Sequence, residues 1–408
     1  MHQEPPSEPE SRAWGRRQWL ASAAALATGA TLIADLCEGA DNPAANVEDR
    51  GSDIKITSLR AVPLGGYLFV KIETNKGVFG WGETAGLEPK AAIALCDSLF
   101  TLLDGENPTR IEYLWQKLYR AHRDIRGGPF MVHTISAIDM ALWDITGKLW
   151  GAPVYRLLGG PTRDKIRFYS NAKAWKSPPM GIYENSGNPH DVERMRSGIA
   201  AARKQVGPDG TVMFDAHCAI PPATLIQFAA AIEPYDVLFI EEVATPGNIE
   251  VFKRLKAAIK IPLATGERDR TIWEFIPYLT ENCIDVLQPD VSHTGGITQM
   301  KKIATLAETY FVPLAPHCTN SLLGVSASLH AIASIPLFLI HEAYPGHTPP
   351  GLIEMTWQIQ DETYFTLPQG NGLGVTVNEA KLEELAKAPQ KWQWPTYGRL
   401  KDGSISDY

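Results

Sequence analysis

Three acidic residues recur at equal spacing, and each one follows a short apolar run of the sequence. They are Asp215 in VMFDAH, Glu241 in VLFIEE and Glu267 in PLATGER, at two successive steps of 26 residues. About 25–30 residues is one strand–helix unit of a (β/α)₈ barrel, because roughly 250 residues build eight such units. Carboxylates at the ends of consecutive parallel strands would lie side by side. With no lysine expected between them, they would need a hard cation to offset their repulsion. The spacing therefore predicts a Mg²⁺ site in a barrel enzyme.

The same spacing continues beyond these three carboxylates. Asp290 ends VLQPD, His317 ends PLAPH and Glu342 follows FLIH, at further steps of 23, 27 and 25 residues. A single polar residue after an apolar run is ordinary in a barrel, because strands end in polar loops. Six such residues at one period indicate a catalytic face.

Two histidines are candidates for proton transfer. His217 lies two residues after Asp215, so on a continued strand both side chains would point to the same face. This placement favours an acid or base over a surface histidine. Asp290 and His317 end consecutive strands, and a carboxylate beside an imidazole orients the ring and raises its basicity. We therefore expect this pair to act as a general base.

The elements that must position these residues divide the chain into an α+β domain followed by a barrel. Residues 54–84 read as a β-meander, with turns at Gly65-Gly66 and at NKG. The helices predicted after it span Pro89–Leu103, Thr109–Arg123 and Met131–Trp150. We predict a capping domain at 51–160, a barrel at 161–365 that begins at KIRFYS, and a C-terminal segment at 366–408 that packs back on the capping domain.

A separate segment precedes these domains. Arg16-Arg17 stand before QWLASAAALATGATLIA, an alanine-rich run that is too short and too weakly apolar to span a membrane. A twin-arginine pair before such a run is typical of a Tat export signal. We therefore predict a Tat-type signal and linker at 1–50, export to the periplasm, and no membrane span after signal removal. A disordered basic leader is the alternative.

Composition narrows the class of protein. The chain has 408 residues and a formal net charge of −8, which argues against nucleic acid as a partner. Its five cysteines form no C-x-x-C pair, and an odd number in a chain of this size makes a disulfide scaffold unexpected.

The ordered motifs resemble the enolase superfamily in its mandelate racemase/muconate lactonizing branch. The likeness runs from about Lys55 to about Glu384, and the pattern is most similar to that of the D-galactonate dehydratases. The motifs that carry it are LFVKIETNKGVFGWGE, AIDMALWDITGK, FDAH, FIEE, ATGER, LQPDVSHTGGIT and LAPHC. The resemblance implies a TIM-type (β/α) barrel with an N-terminal α+β capping domain, in a superfamily whose members commonly form homo-oligomers.

The resemblance also implies a role for each candidate residue. The implied Mg²⁺ ligands are Asp215, Glu241 and Glu267. The implied catalytic residues are His317 as base, Asp290 as its support, His217 as acid, and Glu342 as a hydrogen-bonding partner of the substrate carboxylate or enolate. The implied reaction is the dehydration of a sugar acid, a hydro-lyase reaction. It removes the proton next to the carboxylate and eliminates the neighbouring hydroxyl, which gives a 2-keto-3-deoxy sugar acid.

One departure from the family pattern concerns the start of the barrel. FYSNA runs directly into KAWK, so the helix that would connect the first two barrel strands is missing. A parallel crossover needs about a dozen residues, which Asn171 and Ala172 cannot supply. Either 167–176 is one continuous strand or extended segment, or the barrel is distorted or open on that side.

Other functions stay open. A racemase, epimerase or cycloisomerase on the same scaffold would use a lysine on the second strand, for which Lys173 or Lys176 is available. The missing helix is compatible with an inactive exported paralogue that binds sugar acids without turnover. A glycosidase built on Glu241 and Glu267 is less favoured, because a third acid lies in register. The role of His293 is open in every case.

Overall fold

The structure is a computed structural model, and it describes residues 51, 53–169, 171, 173–177, 189–388, 398–399, 403 and 405–406. The predicted Tat-type signal at 1–50 lies outside the described residues. Those that are described belong to one compact unit, 51–408. Within this part of the chain, no helix has both the length and the apolar character needed to cross a membrane.

The first domain is an antiparallel meander packed against three helices. Its strands are β1 (Ile56–Leu64), β2 (Tyr67–Thr74) and β3 (Phe79–Ala85), and its helices are α1 (Pro89–Leu103), α2 (Ile111–Ala121) and α3 (Pro129–Trp150). Helix α3 approaches β3 so closely that a Cβ at Gly82 would stand 1.9 Å from the Ala137 carbonyl oxygen. Glycine is therefore required where the strand meets the helix. This domain is the capping domain expected from the sequence.

The second domain has eight strand positions arranged as a barrel. After the short helix α4 (Val154–Leu157), its named strands are β4 (Lys165–Tyr169), β5 (Ala174–Lys176), β6 (Thr211–Asp215), β7 (Val237–Glu241), β8 (Leu263–Thr265), β9 (Val286–Leu287) and β10 (His341–Glu342). Parallel pairing runs from β5 through β9 in chain order. It continues through single bridges from Leu287 to Leu314 and from Leu314 to Phe338, and β10 then pairs with β4.

Helices alternate with these strands after β5, as the sequence predicts. They are α5 (Pro189–Val206), α6 (Pro222–Ile232), α7 (Ile249–Ala258), α8 (Thr271–Thr280), α9 (Gly296–Glu308) and α10 (Leu322–Ala333). The apolar faces of α5 to α9 and the outer faces of the strands share a large buried cluster that includes Phe214, Phe228, Phe252 and Phe275. Helix α10 packs in a second buried cluster, which also contains residues of the capping domain. This packing fixes each strand relative to the helix that follows it.

Small sheets and a last helix follow the barrel. They are β11 (Ile353–Met355), β12 (Ile359–Gln360), β13 (Tyr364–Thr366), β14 (Val375–Val377), α11 (Glu379–Lys387), β15 (Gly398–Arg399) and β16 (Ile405–Ser406). The Asn378 side chain caps α11 by accepting a hydrogen bond from the Lys381 N–H. Arg60 on β1 pairs with Glu379 and Glu383 at 2.6 and 2.7 Å. Helix α11 therefore lies beside the capping domain.

The helix that the family pattern places between the first two barrel strands is absent, and the barrel is open there. Only residues 170–173 separate β4 from β5, and paired backbone hydrogen bonds between Asn171 and Ala174 form the turn. Strand β4 pairs with β10 and also with the antiparallel strand β13, so β5 is not its bonded neighbour. The alternative of one continuous strand over 167–176 is therefore wrong.

The barrel interior is nevertheless filled from all eight strand positions. A single buried cluster takes one side chain from each: Tyr169, Ala174, Met213, Phe239, Ala264, Val286, Ala315 and Ile340. Packing thus joins β4 and β5 where backbone hydrogen bonding does not, as layered side chains do in closed barrels. Because this layer holds the strands together, their carboxyl ends still meet at one face.

Candidate active site

Four carboxylates lie at the carboxyl ends of the barrel strands, where the sequence spacing placed them. Asp215 ends β6 and Glu241 ends β7, and the two residues are partners in the parallel register. Glu267 follows β8 by two residues, and Glu342 ends β10. The side chain of Glu267 is 12% exposed, and the other three side chains are almost fully buried. These groups form the acidic floor of the site.

A lysine lies among these carboxylates, which corrects the expectation that none would. Lys176 ends β5, and its Nζ lies 2.8 Å from Glu342 Oε1, 3.0 Å from Glu241 Oε1 and 3.6 Å from Asp215 Oδ2. Burial disfavours the ammonium, but the charges of Glu241 and Glu342 outweigh it and hold the pKa of Lys176 well above its ordinary value. The spacing argument missed this residue because it precedes the periodic series by one strand.

One ammonium does not balance the negative charge of the acidic floor. Burial raises the pKa of Glu241 to about 7 although Lys176 opposes the rise, and burial raises the pKa of Glu267 well above its ordinary value. Glu241 Oε2 and Glu342 Oε2 are buried and accept no hydrogen bond from the described residues. Buried carboxylate oxygens without donors are suited to a hard divalent cation. The donor set of Asp215, Glu241 and Glu267 therefore fits Mg²⁺ chemically.

The three predicted ligands do not form the tightest group of ligand atoms. Among the described residues, groups with atoms within 4.8 Å of one another are Asp215 with His217 and Glu242, and Asp290 with His293 and His317. The Lys176 ammonium contacts one oxygen of each of two predicted ligands, Asp215 Oδ2 at 3.6 Å and Glu241 Oε1 at 3.0 Å. Glu241 Oε2 is left without a donor and stays suited to a cation.

His317 and Asp290 form a bonded pair, as predicted. His317 Nδ1 lies 2.7 Å from Asp290 Oδ2, and both side chains are buried. The other oxygen, Asp290 Oδ1, accepts from the Ser292 N–H at 2.6 Å, the Ser292 hydroxyl at 2.7 Å and Asn320 Nδ2 at 3.1 Å. Asp290 is thereby fixed at both oxygens. The second ring nitrogen, His317 Nε2, faces Glu267 Oε2 at 3.7 Å and Glu342 Oε2 at 3.8 Å.

The same contacts set the charges of the pair. Burial disfavours ionised Asp290, but His293 and the hydrogen-bonded His317 outweigh it and hold the pKa of Asp290 well below its ordinary value. Burial disfavours protonated His317, but the Glu267 and Glu342 charges and the bond to Asp290 raise its pKa well above the ordinary value. The negative charge of the cavity thus favours the protonated ring, and His317 must lose this proton before it can act as a base.

His217 lies beside Asp215, although not for the reason the sequence suggested. Strand β6 ends at Asp215, and His217 has a left-handed backbone with φ of 47°, so strand alternation does not apply. The His217 N–H donates to Asp215 Oδ1 at 2.8 Å, and ring Nδ1 lies 3.4 Å from Asp215 Oδ2. Arg268, which Glu242 binds at 2.5 and 2.9 Å, places Nη2 3.1 Å from His217 Nε2. Because a guanidinium only donates, Nε2 accepts in this arrangement.

Several neighbours of the site carried no periodic signal in the sequence. Tyr344 donates its hydroxyl to Glu342 Oε1 at 2.9 Å, and His347 stacks on Tyr344. His293 stacks between His133 of the capping domain and His317, at ring-centre distances of 4.2 and 5.9 Å. Lys173 lies exposed in the turn before β5. Arg268, Ser292 and Tyr344 each stand one or two residues from a predicted site residue, and that proximity was the only signal available.

Comparison with family models covers both domains of the chain. Residues 49–159 match the N-terminal domain of the mandelate racemase / muconate lactonizing enzyme family, and residues 165–381 match the enolase C-terminal domain-like family. The boundary between the two matches falls between α4 and β4.

Comparison with individual proteins gives relatives of nearly full length. The chain is 35% identical to a D-galactonate dehydratase of Ralstonia pickettii and 34% identical to one of Pectobacterium atrosepticum, in each case over 387 residues that cover 87% of this chain and 99% of the relative. A solved enolase of Agrobacterium radiobacter with bound sodium and L-malate is 30% identical with a TM-score of 0.79, covering 86% of this chain and 99% of that one. The 3,6-anhydro-D-galactonate cycloisomerase of Zobellia galactanivorans is 31% identical with a TM-score of 0.74, covering 81% and 99%.

Proposed function

The chain belongs to the mandelate racemase/muconate lactonizing enzyme family of the enolase superfamily and is a hydro-lyase, and from this premise we propose that it is a Mg²⁺-dependent dehydratase of galactonate or a related aldonate. It removes the proton next to the carboxylate and eliminates the neighbouring hydroxyl, which gives a 2-keto-3-deoxy sugar acid. The observation that carries the proposal is the Asp290–His317 pair, with its free Nε2 directed at the acidic floor.

Asp215, Glu241 and Glu267 are the residues that would hold the cation, because they supply only oxygen ligands at neighbouring strand ends. When bound, Mg²⁺ stabilises the charge that develops on the enediolate oxygens and offsets the Glu267 charge that raises the pKa of His317. With that charge offset, the pKa of the base would lie nearer the working pH, where proton abstraction is most effective.

His317 takes the proton next to the substrate carboxylate at Nε2. Its Nδ1–H stays bonded to Asp290 Oδ2, which holds the ring in the tautomer that leaves Nε2 free. The Glu342 carboxylate has a lowered pKa, because Lys176 and His317 outweigh the effect of its burial, and an ionised carboxylate only accepts hydrogen bonds. This revises the role expected for Glu342, because an ionised carboxylate cannot donate to a substrate carboxylate or enolate. In this arrangement Lys176, held by Glu342 at 2.8 Å, is the donor for a substrate carboxylate oxygen, and Glu342 receives a substrate hydroxyl.

His217 gives the proton to the leaving hydroxyl. Its Nε2 accepts from Arg268 in this structure, so the guanidinium must withdraw before Nε2 can carry a proton toward substrate. Glu242 anchors Arg268 through two hydrogen bonds and can hold it once it has left His217. The acid is thus available only after Arg268 has moved away from Nε2.

A racemase, epimerase or cycloisomerase is the second candidate, and the buried Lys176 favours it. A lysine base must lose its proton, whereas Glu241 and Glu342 hold the pKa of Lys176 well above the ordinary value. An ammonium held in this way is a poor base near neutral pH. The pKa of His317 is raised as well, but its Nε2 lies 3.7 Å or more from Glu267 and Glu342, whereas Lys176 Nζ is bonded to Glu342 at 2.8 Å. This difference and the D-galactonate dehydratase relatives support dehydration with His317 as base.

Solvent deuterium exchange tests the proposal. The full chain with Mg²⁺ is incubated with a panel of aldonates in D₂O, and NMR records deuterium at the carbon beside the carboxylate and any keto-deoxy product. We expect product from at least one aldonate and its loss in His317→Asn. Exchange without elimination would indicate the racemase alternative. A folded, Mg²⁺-binding protein without exchange across the panel would refute both reactions.

A further inference from the structure

The capping-domain strand β3 ends against the two barrel loops that carry the proposed base. Thr84 Oγ1 donates to the Ser292 carbonyl oxygen at 3.2 Å, and Ser292 lies two residues after Asp290. The Glu83 carboxylate accepts from the Ser321 N–H at 2.8 Å and from the Ser321 hydroxyl, and Ser321 lies four residues after His317. Two adjacent residues of the capping domain therefore hold both loops.

Glu83 occupies a site shaped for a carboxylate. It is fully buried and lies at the amino end of α10, where Ser321 is the capping residue. A Cβ at Gly324 would stand 2.7 Å from Glu83 Oε1 and 2.6 Å from the Asn320 Cβ, so only glycine leaves room for the approach. The amino end of a helix stabilises a negative charge placed there. Helix α10 and Glu83 therefore fix each other.

Asn320 connects this contact to the base. Its Nδ2 donates to Asp290 Oδ1 at 3.1 Å, and its Oδ1 lies 2.9 Å from the Ser292 hydroxyl. Asp290, Ser292, Asn320 and Ser321 are all fully buried, so water cannot replace a lost partner without rearrangement. Any shift of Ser321 would move Asn320, and with it the amide nitrogen that donates to Asp290 Oδ1 and so orients Asp290 toward His317.

We propose that Glu83 of the capping domain is a positioning residue for the base: through Ser321 and Asn320 it holds the Asp290 carboxylate, and thereby His317, in the orientation that proton abstraction needs. The kinetic consequence of this inference rests on the proposed function, whereas the orientation of His317 does not. The capping domain thus contributes to the catalytic geometry from a residue that never touches substrate.

Three variants separate positioning from general stability. Glu83→Ala removes both acceptors of Ser321. Glu83→Gln keeps one oxygen for the Ser321 N–H and offers its amide to the Ser321 hydroxyl, so it should preserve the contact. Trp143→Phe is the matched control, because it removes a different hydrogen bond between the two domains. This is the 2.9 Å bond from Trp143 Nε1 to Thr298 Oγ1, which does not connect Glu83 to Asp290.

The first readout is the His317 ring itself. In protein labelled with ¹⁵N-histidine, the His317 ring signals are assigned by their loss in His317→Asn. We expect Glu83→Ala to shift or broaden these signals, and both Glu83→Gln and Trp143→Phe to leave them unchanged. If Glu83→Ala does not fold, Glu83→Asp shortens the reach while keeping a carboxyl group and should cause a smaller change of the same kind.

The second readout is kinetic. We expect Glu83→Ala to lower kcat roughly 10- to 100-fold with KM nearly unchanged, because a small displacement of a catalytic group costs about that much. Glu83→Gln should restore most of the rate, and Trp143→Phe should retain it. Unchanged His317 signals in Glu83→Ala, or equal changes in Trp143→Phe, would overturn the proposal. If the unmodified chain shows no turnover, the proposed function fails while the NMR comparison still decides the role of Glu83.

Discussion

Replacing Asp290 by asparagine should place the proton of His317 on the wrong ring nitrogen. Asp290 Oδ1 accepts from the Ser292 N–H, the Ser292 hydroxyl and Asn320 Nδ2, so the oxygen of the new amide must occupy that position. The amide nitrogen then faces His317 Nδ1, which has to become an acceptor. In the neutral ring the proton moves to Nε2, and Nε2 can no longer remove a proton from substrate.

The size of the effect follows from the cost of turning that amide around. Turning it would leave the Ser292 N–H and the Asn320 amide without an acceptor, and each unsatisfied buried donor costs about 1–3 kcal/mol. The productive tautomer would therefore lie about 2–6 kcal/mol above the unproductive one. At about 1.4 kcal/mol for each factor of ten, we expect Asp290→Asn to lower kcat roughly 30- to 10⁴-fold.

The assay is the rate of deuterium incorporation and of product formation at saturating Mg²⁺, with His317→Asn as the lower limit. Ser292→Ala is the control, because it removes one hydroxyl donor and leaves the Asp290 carboxylate in place. Spectra of the ¹⁵N-labelled histidine ring, recorded where the ring is neutral, show which nitrogen carries the proton. A variant that retains more than a third of the original rate, or whose neutral ring keeps its proton on Nδ1, would refute the reasoning.

Three further changes test other parts of the structure. Lys176→Met leaves Glu241 and Glu342 without their ammonium. We therefore expect urea unfolding in EDTA to show that the free energy of unfolding falls by about 3–5 kcal/mol, and that Mg²⁺ recovers part of it. A variant whose stability does not change with Mg²⁺ would contradict the charge argument. Burial lowers the pKa of His330 to about 4. Because the unfolded ring titrates near 6.5, the unfolded state binds more protons at low pH, and His330 should cost about 2 kcal/mol of stability between pH 7 and pH 5. His330→Asn, which keeps an acceptor for the Tyr155 N–H, should flatten this part of the slope in unfolding measured at both pH values, and an unchanged slope would count against it. Gly82→Ala should cost about 3 kcal/mol in chemical denaturation, because its Cβ would meet the Ala137 carbonyl oxygen at 1.9 Å, whereas Gly66→Ala, with nothing within 4 Å, should be neutral within about 0.5 kcal/mol.

The open side of the barrel bears on how much of this fold depends on hydrogen bonding. Strand β4 pairs with β10 and β13 rather than with β5, yet Tyr169 and Ala174 still pack in one interior layer. The short connection between β4 and β5 also leaves Lys176, at the end of β5, on the acidic floor. The shortened connection thus changes the edge of the sheet and preserves the face where the site lies.

The sequence by itself determined the features that repeat or that depend on neighbours along the chain. Apolar runs at one barrel period predicted the strand ends that carry Asp215, Glu241 and Glu342, because each strand–helix unit folds by its own pattern of buried residues. Adjacent strand ends likewise predicted the contact of Asp290 with His317.

Only the tertiary structure decided the features that depend on contacts between distant segments. The ammonium of Lys176 among the carboxylates, the Arg268 guanidinium on His217 and the Glu83 contact with Ser321 join side chains whose positions follow from how the strands and domains pack. His217 shows the same limit locally, because a left-handed residue after β6 replaced the strand geometry that its spacing suggested. Periodicity determines where a strand ends, whereas the direction of a side chain beyond that end depends on the loop conformation and on the charges that packing places around it.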